Sequence, residues 1–186
     1  MKIGLLGGTF DPPHMGHVLI ARQVLDFAGV DEVWFLPNYR QNPPKPSSPV
    51  EDRLAMTKLI ALLKTRVSLL EIEHMLDGDT IHILPFLPPE HEFTFIMGSD
   101  QLPTFAEWND WERLLRELPV LVFPRYGHPT EPLYQGMKVV SDSSLITSNI
   151  SSTKIRERVR RGLSIEHFVP VDVFTYIKDH KLYRDV

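Results

Sequence analysis

A stretch of eleven residues near the amino terminus, residues 7–17, most constrains how this chain folds. It reads GGTFDPPHMGH, follows an apolar run at residues 2–6, and precedes residues 18–25, whose apolar positions have the spacing of a helix. The pattern predicts a strand, a tight loop and a helix in that order. Because the unpaired N–H groups and the positive dipole end of such a helix attract anions, we expect this loop to bind phosphate.

Two histidines, His14 and His17, stand at the end of this stretch. Their spacing of three residues places both rings on one face if they lie in the first helical turn. Two imidazoles there can donate hydrogen bonds to phosphate oxygens and stabilise the charge that grows on them in a transition state. The alternatives are a capping or core pair, or a metal-binding pair. The spacing differs from the His-Glu-x-x-His metal motif, and we expect no metal ion held by protein side chains.

Apolar runs and helical patterns alternate along the rest of the chain. Strands are predicted at residues 32–36, 67–72, 93–97, 120–123 and 138–141, and helices at residues 50–63, 112–118 and 170–180. A short helix from Thr80 is expected to break at Pro85. The alternation predicts a doubly wound α/β fold with a mostly parallel sheet and ligands at its carboxyl edge. With 186 residues, the chain is expected to form a single domain over residues 1–186.

Charge and composition argue against several classes of protein. The chain carries 24 acidic and 20 basic side chains, for a net charge of -4, whereas a nucleic-acid binder usually has a basic excess. No apolar run approaches the length of a membrane span, and cysteine is absent, which fits a reducing cytoplasm. We expect a cytoplasmic protein without nucleic-acid or membrane partners. Assembly into a homo-oligomer stays open.

A second candidate phosphate site lies far downstream. Ser151, Ser152 and Thr153 precede a helical pattern and offer hydroxyl groups and unpaired N–H groups, which together bind phosphate. Arg156, one turn further, can add a bidentate contact to phosphate oxygens. An ordinary helix cap is the alternative interpretation. Taken with the histidines, the segment predicts one electropositive pocket built from both ends of the chain.

Residues 7–17 and 150–156 carry a resemblance to a known family. GGTFDPPHMGH resembles the signature of the nucleotidyltransferase superfamily with the His-x-Gly-His element, and most of all that of bacterial nicotinate mononucleotide adenylyltransferases. ISSTKIR is similar to the second phosphate-binding motif of that family. The resemblance implies a Rossmann-like fold, ATP and nicotinate mononucleotide as substrates, and deamido-NAD and pyrophosphate as products. It also implies Mg²⁺ bound through the ATP phosphates.

The resemblance further implies roles for individual residues. The catalytic group is His14, His17, Lys45 and Arg156. The ATP-binding group is Gly7, Gly8, Thr9, Phe10, Gly98, Asp100, Ile150, Ser151, Ser152 and Thr153. The mononucleotide-binding group is Thr80, Trp108 and Asn109.

Two arginines are expected to act near these groups. Arg53 is expected to support the Pro-rich loop at residues 37–49, which carries Lys45, or else to form an ordinary surface ion pair. Arg125 stands where the family often has an Arg-Pro or Arg-x-Gly element, and the resemblance implies a contact with the adenine side of ATP or with another subunit.

One segment departs from the family pattern. Where the family usually has tyrosine before the threonine and aspartate two residues after it, this chain has Asp79 and His82 around Thr80. A carboxylate near a carboxylate substrate would repel it by roughly 1 kcal/mol or more. Asp79 is otherwise expected to cap the helix and point to water. The departure at Asp79 leaves an enzyme that prefers nicotinamide mononucleotide as one alternative. A phosphopantetheine adenylyltransferase, which shares both motifs loosely, and a catalytically silent nucleotide sensor are two others.

Overall fold

Six parallel strands form one sheet in the described part of the chain, in the order β3-β2-β1-β4-β5-β6. The structure is a computed structural model that describes residues 1–45 and 47–184. Pro46 of the predicted Pro-rich loop and the last two residues of the predicted domain lie outside the described residues. The doubly wound α/β prediction is confirmed, since helices cover both faces of the sheet.

The helices and strands follow one another along the chain. The strands are β1 (Lys2–Gly8), β2 (Glu32–Pro37), β3 (Thr65–Val67), β4 (Glu92–Gly98), β5 (Val120–Phe123) and β6 (Met137–Val139). The α-helices are α1 (Met15–Phe27), α2 (Val50–Lys58), α3 (Leu70–Glu73), α4 (Trp111–Glu117), α5 (Ser152–Arg160) and α6 (Val171–Asp179). Two 3₁₀ helices span Thr80–Phe86 and Ser99–Glu107. In the described part of the chain, none of the helices is both long and apolar enough to span a membrane.

Successive side chains of a strand point to opposite faces of the sheet, and this alternation builds one hydrophobic core on each face. In β2, Val33 and Phe35 face one core, whereas Trp34 and Leu36 face the other. Helices α1, α2, α5 and α6 pack on the first face. Helix α4 and the two 3₁₀ helices pack on the second. Because both faces are covered, the strands can be apolar throughout, which is the pattern that the sequence shows.

The chain changes direction in the sheet between β1 and β4. It first adds β2 and β3 on one side of β1, and then crosses to place β4 on the other side. Ligands of open α/β sheets bind in the crevice outside the strand ends at such a point. Strand β1 ends at Gly8 and β4 ends at Gly98, so the first predicted phosphate-binding segment and the predicted ATP-binding residues Gly98 and Asp100 begin at this crevice.

Three local predictions were wrong. Residues 67–72 were expected to form a strand, but β3 ends at Val67 and the chain turns into α3. The helix expected over residues 50–63 ends at Lys58, and the apolar Leu63 beyond it is 88% exposed. Apolar spacing cannot tell such a surface residue from a buried one. The helix at Thr80 continues past Pro85 as a 3₁₀ helix.

Candidate active site

The two histidines of the first segment stack on each other at the start of α1. Their ring centroids lie 3.8 Å apart, and the backbone N–H of His14 donates to Nδ1 of His17 over 3.1 Å. Gly16 leaves room for this arrangement, because a Cβ atom there would lie 2.9 Å from the His14 ring. The glycine of the His-x-Gly-His element is therefore a packing requirement for the first imidazole.

Both imidazoles are neutral in the free protein near pH 7. Burial and, to a smaller extent, the nearby charge of Arg125 together lower the pKa of His17 from 6.5 to about 3. Burial also lowers the pKa of His14 well below its ordinary value, with smaller contributions from His17 and Arg125. Because Nδ1 of His17 accepts a hydrogen bond, we assign its proton to Nε2. His17 therefore presents a hydrogen-bond donor rather than a charge.

The two segments expected to bind phosphate contact each other directly. The hydroxyl of Ser152 donates to the carbonyl oxygen of Pro12 over 2.8 Å, and Nη1 of Arg156 donates to that of Asp11 over 2.6 Å. The hydroxyl oxygen of Ser151 accepts a backbone N–H of α5 over 3.3 Å and caps that helix. The structure thus brings the two ends of the chain together, as the sequence predicts.

Some groups expected to face phosphate have partners within the protein. The backbone N–H of Met15, the first of α1, donates to the carbonyl oxygen of Phe168 over 2.9 Å. Nη2 of Arg156 donates to the hydroxyl oxygen of Thr153 over 3.4 Å. The first N–H of α1 is therefore engaged within the protein and is not free to meet an anion at this helix start.

Arg125 links the end of β4 to the second segment. Its Nη1 donates to Oδ2 of Asp100 over 3.3 Å, and its Nη2 donates to the carbonyl oxygen of Ile150 over 2.7 Å. Gly98 permits this approach, since a Cβ atom there would lie 2.7 Å from the Arg125 side chain. Arg125 and the two histidines line one narrow pocket. Arg125 therefore lies between the end of β4 and the second segment, in the same pocket as the two histidines.

Phe10 and Arg53 are both buried, and each supports a predicted site segment. The Phe10 ring, expected to bind ATP, is 1% exposed and packs 4.8 Å from the His17 ring, so its side chain supports His17 rather than facing the nucleotide. Arg53 is 3% exposed, and its guanidinium donates to the carbonyl oxygens of Thr9 and Asn38, among others. The supporting role of Arg53 is confirmed, and the surface ion pair is wrong.

A large cleft of about 930 Å³ opens at the end of β1, and neither His14 nor His17 is among the described residues that line it. Its walls come from the end of β1, the Pro-rich loop, the 3₁₀ helices and the loop before α4. The lining residues that the sequence predicted as site residues are Gly7, Gly8, Thr9, Lys45, Thr80, Trp108 and Asn109. Trp108 is half-buried and lies 5.1 Å from the Phe105 ring, whereas Trp111 packs 4.8 Å from the Tyr134 ring, away from the cleft. The cleft is large enough for a nucleotide.

Asp79 joins two walls of this cleft. Its Oδ1 accepts the side-chain N–H of Asn42 over 2.9 Å, and its Oδ2 accepts that of Asn109 over 3.0 Å. It makes no side-chain cap to the helix at Thr80, so the capping interpretation was wrong. The carboxylate instead holds the Pro-rich loop against the loop that carries Trp108.

The sequence did not predict two features of this cleft and its rim, a cluster of two aspartates with a histidine and a buried glutamate. Asp77, Asp79 and His82 offer one ligand atom each, all within 4.8 Å of one another, and His82 Nδ1 lies 2.8 Å from Asp77 Oδ1. Glu71 lines the cleft although it is 3% exposed, and burial raises its pKa to about 7. No local pattern marks such a residue, because its burial depends on the turn after β3.

A family model described as cytidylyltransferase-like matches residues 5–158. The chain belongs to this family. It is 38% identical over 190 residues to a protein of Geobacillus kaustophilus named "Probable nicotinate-nucleotide adenylyltransferase", covering 98% of this chain and 86% of that protein. A relative of the same name from Anaeromyxobacter is 36% identical, with 98% and 97% of the two chains covered.

The fold of this family member has solved counterparts. A Plasmodium falciparum nicotinic acid mononucleotide adenylyltransferase complexed with NaAD superposes with a TM-score of 0.81 over 98% of this chain and 97% of that one. A second structure of that protein, complexed with APC, gives a TM-score of 0.77 over 98% and 96% of the two chains. At 22% identity, these likenesses establish the fold.

Proposed function

We propose that the protein transfers the adenylyl group of ATP to nicotinate mononucleotide, which yields deamido-NAD and pyrophosphate for NAD biosynthesis. The observation that carries this proposal is the junction of the two segments, where Arg156 and Ser152 contact the loop that leads to the stacked His14 and His17. A nucleotide-sized cleft opens at the end of β1, where Gly7, Gly8 and Thr9 of the first segment line it. The relatives of 36–38% identity bear the name of this activity.

The geometry suggests which substrate lies on each side. The narrow pocket of His14, His17 and Arg125 adjoins the end of β4, where Asp100 is suited to accept hydrogen bonds from the ribose of ATP. The large cleft is suited to the mononucleotide, with Trp108 as a stacking surface for the pyridine ring. Thr80 and Asn109 also line this cleft and would hold the remainder of that substrate.

The reaction is an in-line displacement at phosphorus. A phosphate oxygen of the mononucleotide forms a bond to the α-phosphorus of ATP, and the bond from that phosphorus to the α–β bridging oxygen breaks, so that pyrophosphate leaves. No protein atom becomes covalently attached. The protein's part is to align the two phosphates and to donate hydrogen bonds to the oxygens that gain charge, through His14, His17, Lys45 and Arg156.

The residues present fit a Mg²⁺ ion that enters on the ATP phosphates. Asp11, a carboxylate at the junction, already accepts hydrogen bonds from Ser48 and Tyr183, so phosphate oxygens and water would supply the ligands. Bound there, the ion would offset the negative charge of the triphosphate. A cytoplasmic location and assembly into a homo-oligomer stay predictions.

The test is pyrophosphate release from ATP with three acceptors in turn: nicotinate mononucleotide, nicotinamide mononucleotide and phosphopantetheine. We expect turnover to be fastest with nicotinate mononucleotide. Release with phosphopantetheine alone would replace the proposal with the related transferase, and no release with any acceptor would favour a nucleotide sensor.

Replacing His17 tests its role within this reaction. We expect His17→Ala to abolish turnover but to change ATP affinity by less than about tenfold, because an interaction made mainly in the transition state costs turnover more than binding. His128→Ala, at an exposed position, is the control and is expected to keep turnover within about twofold. Loss of ATP binding with turnover preserved in His17→Ala would contradict the assigned role.

One observation favours nicotinamide mononucleotide as a second acceptor. Glu71, Asp79 and Glu107 line the large cleft, whereas Lys45 is the one basic side chain among the described lining residues. This acidic wall suits a neutral carboxamide better than a carboxylate. The hydrogen bonds from Asn42 and Asn109 to Asp79 moderate that charge without removing it. The ratio of kcat/KM for the two pyridine nucleotides measures how much of the repulsion remains.

A further inference from the structure

Asp11, within the first phosphate-binding segment, is a buried carboxylate held by residues from three other segments. It is 2% exposed. Its Oδ2 accepts the backbone N–H of Ser48 over 3.3 Å and lies 3.9 Å from Nη1 of Arg156. Its Oδ1 accepts the hydroxyl hydrogen of Tyr183 over 2.8 Å. Since a buried charge is costly unless it is paired, each of these partners helps to fix the carboxylate in place.

Tyr183 reaches this position from the far end of the described chain. It lies outside the region matched by the family model, which ends at residue 158. After α6, the backbone N–H of Leu182 donates to the carbonyl oxygen of Ile177 over 3.0 Å, which turns the chain back toward the core. Burial and the Asp11 carboxylate both raise the pKa of Tyr183, so it remains a neutral phenol that donates a hydrogen bond.

The contact matters because Asp11 stands at the junction of the two phosphate-binding segments. The carbonyl oxygen of Asp11 accepts the 2.6 Å hydrogen bond from Arg156, and its neighbour Pro12 accepts the one from Ser152. Two residues beyond Pro12, His14 begins the stacked pair. A shift of Asp11 would therefore move the contact of Arg156 and the loop that carries His14.

We propose that Tyr183 is a positioning residue for adenylyl transfer, acting through its hydrogen bond to Asp11 to hold the loop of residues 9–14 against Arg156. The proposal rests on the proposed function for its kinetic consequence. Its structural part, the tethering of the loop by the tail of the chain, stands independently of the identity of the acceptor.

The chain provides a matched control for this hydrogen bond. Tyr176, on α6, donates from its hydroxyl group to Oδ1 of Asp52 over 2.8 Å, the same length as the contact of Tyr183 with Asp11. Asp52 belongs to α2 and lies outside both phosphate-binding segments. Tyr183→Phe and Tyr176→Phe thus each remove one hydroxyl group that donates to an aspartate, but only the first touches the junction.

The kinetic test compares the two variants. We expect Tyr183→Phe to lower kcat by at least about tenfold and to change the KM for ATP by less than about threefold, since a small misplacement of catalytic groups can cost up to a hundredfold in rate. Tyr176→Phe is expected to keep kcat within about twofold. If the two variants lose kcat equally, or if Tyr183→Phe keeps it within about twofold, the positioning role is refuted.

Amide hydrogen exchange separates this proposal from the proposed function. In Tyr183→Phe we expect at least about tenfold faster exchange in peptides covering residues 9–17 and 151–157, with no such change in Tyr176→Phe. This measurement needs no acceptor, so it decides the tethering even if wild-type protein releases no pyrophosphate with nicotinate mononucleotide. Unchanged exchange in both peptides would overturn the tethering.

Discussion

Replacing Glu71 by glutamine removes a buried carboxyl group that ionises near neutral pH. The side chain is 3% exposed, and its Oε2 has no hydrogen-bond partner in the described part of the chain. Burial is the main cause that raises its pKa from 4.5 to about 7. The carboxylates of Asp77 and Asp79 also act to raise it, whereas a hydrogen bond from the Tyr39 backbone and the charge of His82 act to lower it. In the folded protein, Glu71 therefore holds its proton more tightly than it does in the unfolded chain.

The sign and size of the effect on stability follow from this difference. Between pH 4.5 and pH 7, the unfolded chain releases the Glu71 proton while the folded protein keeps it, so the free energy of unfolding falls as the pH rises. The separation between 4.5 and about 7 corresponds to about 3 kcal/mol in all. About 2 kcal/mol of this loss falls between pH 5 and pH 7.

Urea unfolding at several pH values between 5 and 8 measures the effect. The free energy of unfolding of Glu71→Gln minus that of wild type is expected to rise by about 2 kcal/mol between pH 5 and pH 7 and to level off above pH 7. Taking the difference cancels the other titrating groups. Glu73→Gln, on the same short helix at an exposed position, is the matched control.

The reasoning fails if the Glu71→Gln and wild-type stabilities stay parallel from pH 5 to pH 8, since Glu71 would then titrate at its ordinary pKa. It also fails if Glu73→Gln shows the same rise, because the effect would then belong to the helix rather than to the buried carboxyl group.

Two further substitutions test the walls of the site. Arg53→Met removes a buried guanidinium that donates to four carbonyl groups, and it is expected to lower the free energy of unfolding by at least about 3 kcal/mol in urea. The exposed Arg22→Met should change it by less than about 1 kcal/mol, and equal effects of the two variants would contradict this prediction. Asp79→Ala frees Asn42 and Asn109 and is expected to raise the KM for nicotinamide mononucleotide, whose neutral carboxamide gains nothing from the loss of the negative charge, by at least about tenfold while leaving that for ATP within about twofold. An unchanged mononucleotide KM would show that this carboxylate does not order the cleft.

Most of the sheet could be predicted because its signals are local. The apolar runs that became β1, β2, β4 and β5 are bounded by glycine, proline and polar residues that end a strand within a few positions. The crevice at residues 7–17 could likewise be read from the order strand, loop, helix. The strand predicted over residues 67–72 failed because an edge strand of three residues pairs only with β2, and nothing local marks where that pairing ends.

The supporting residues of the site could not be predicted, because their roles depend on contacts between distant positions. Arg53 stands beside Glu51 and Asp52, so the local pattern indicates surface ion pairs, yet its guanidinium is buried among loop carbonyl groups. Tyr183 meets Asp11 across 172 positions, and neither residue is unusual in its own segment. Residue type restricts what such a side chain can bind, but only the folded topology decides what it meets.

The neutral state of the histidines affects whether they contribute more to ATP affinity or to the rate of turnover. Because burial and Arg125 disfavour a charged imidazole in the free protein, the proposed roles of His14 and His17 rest on hydrogen-bond donors rather than on a permanent positive charge. A donor N–H at Nε2 of His17 gains strength as negative charge builds on the phosphate oxygens, which favours the transition state over the bound substrate. The packing at Gly16 fixes the imidazole pair in advance, so that no reorganisation is needed when that charge appears. The same arrangement explains why losing His17 should cost turnover far more than ATP affinity.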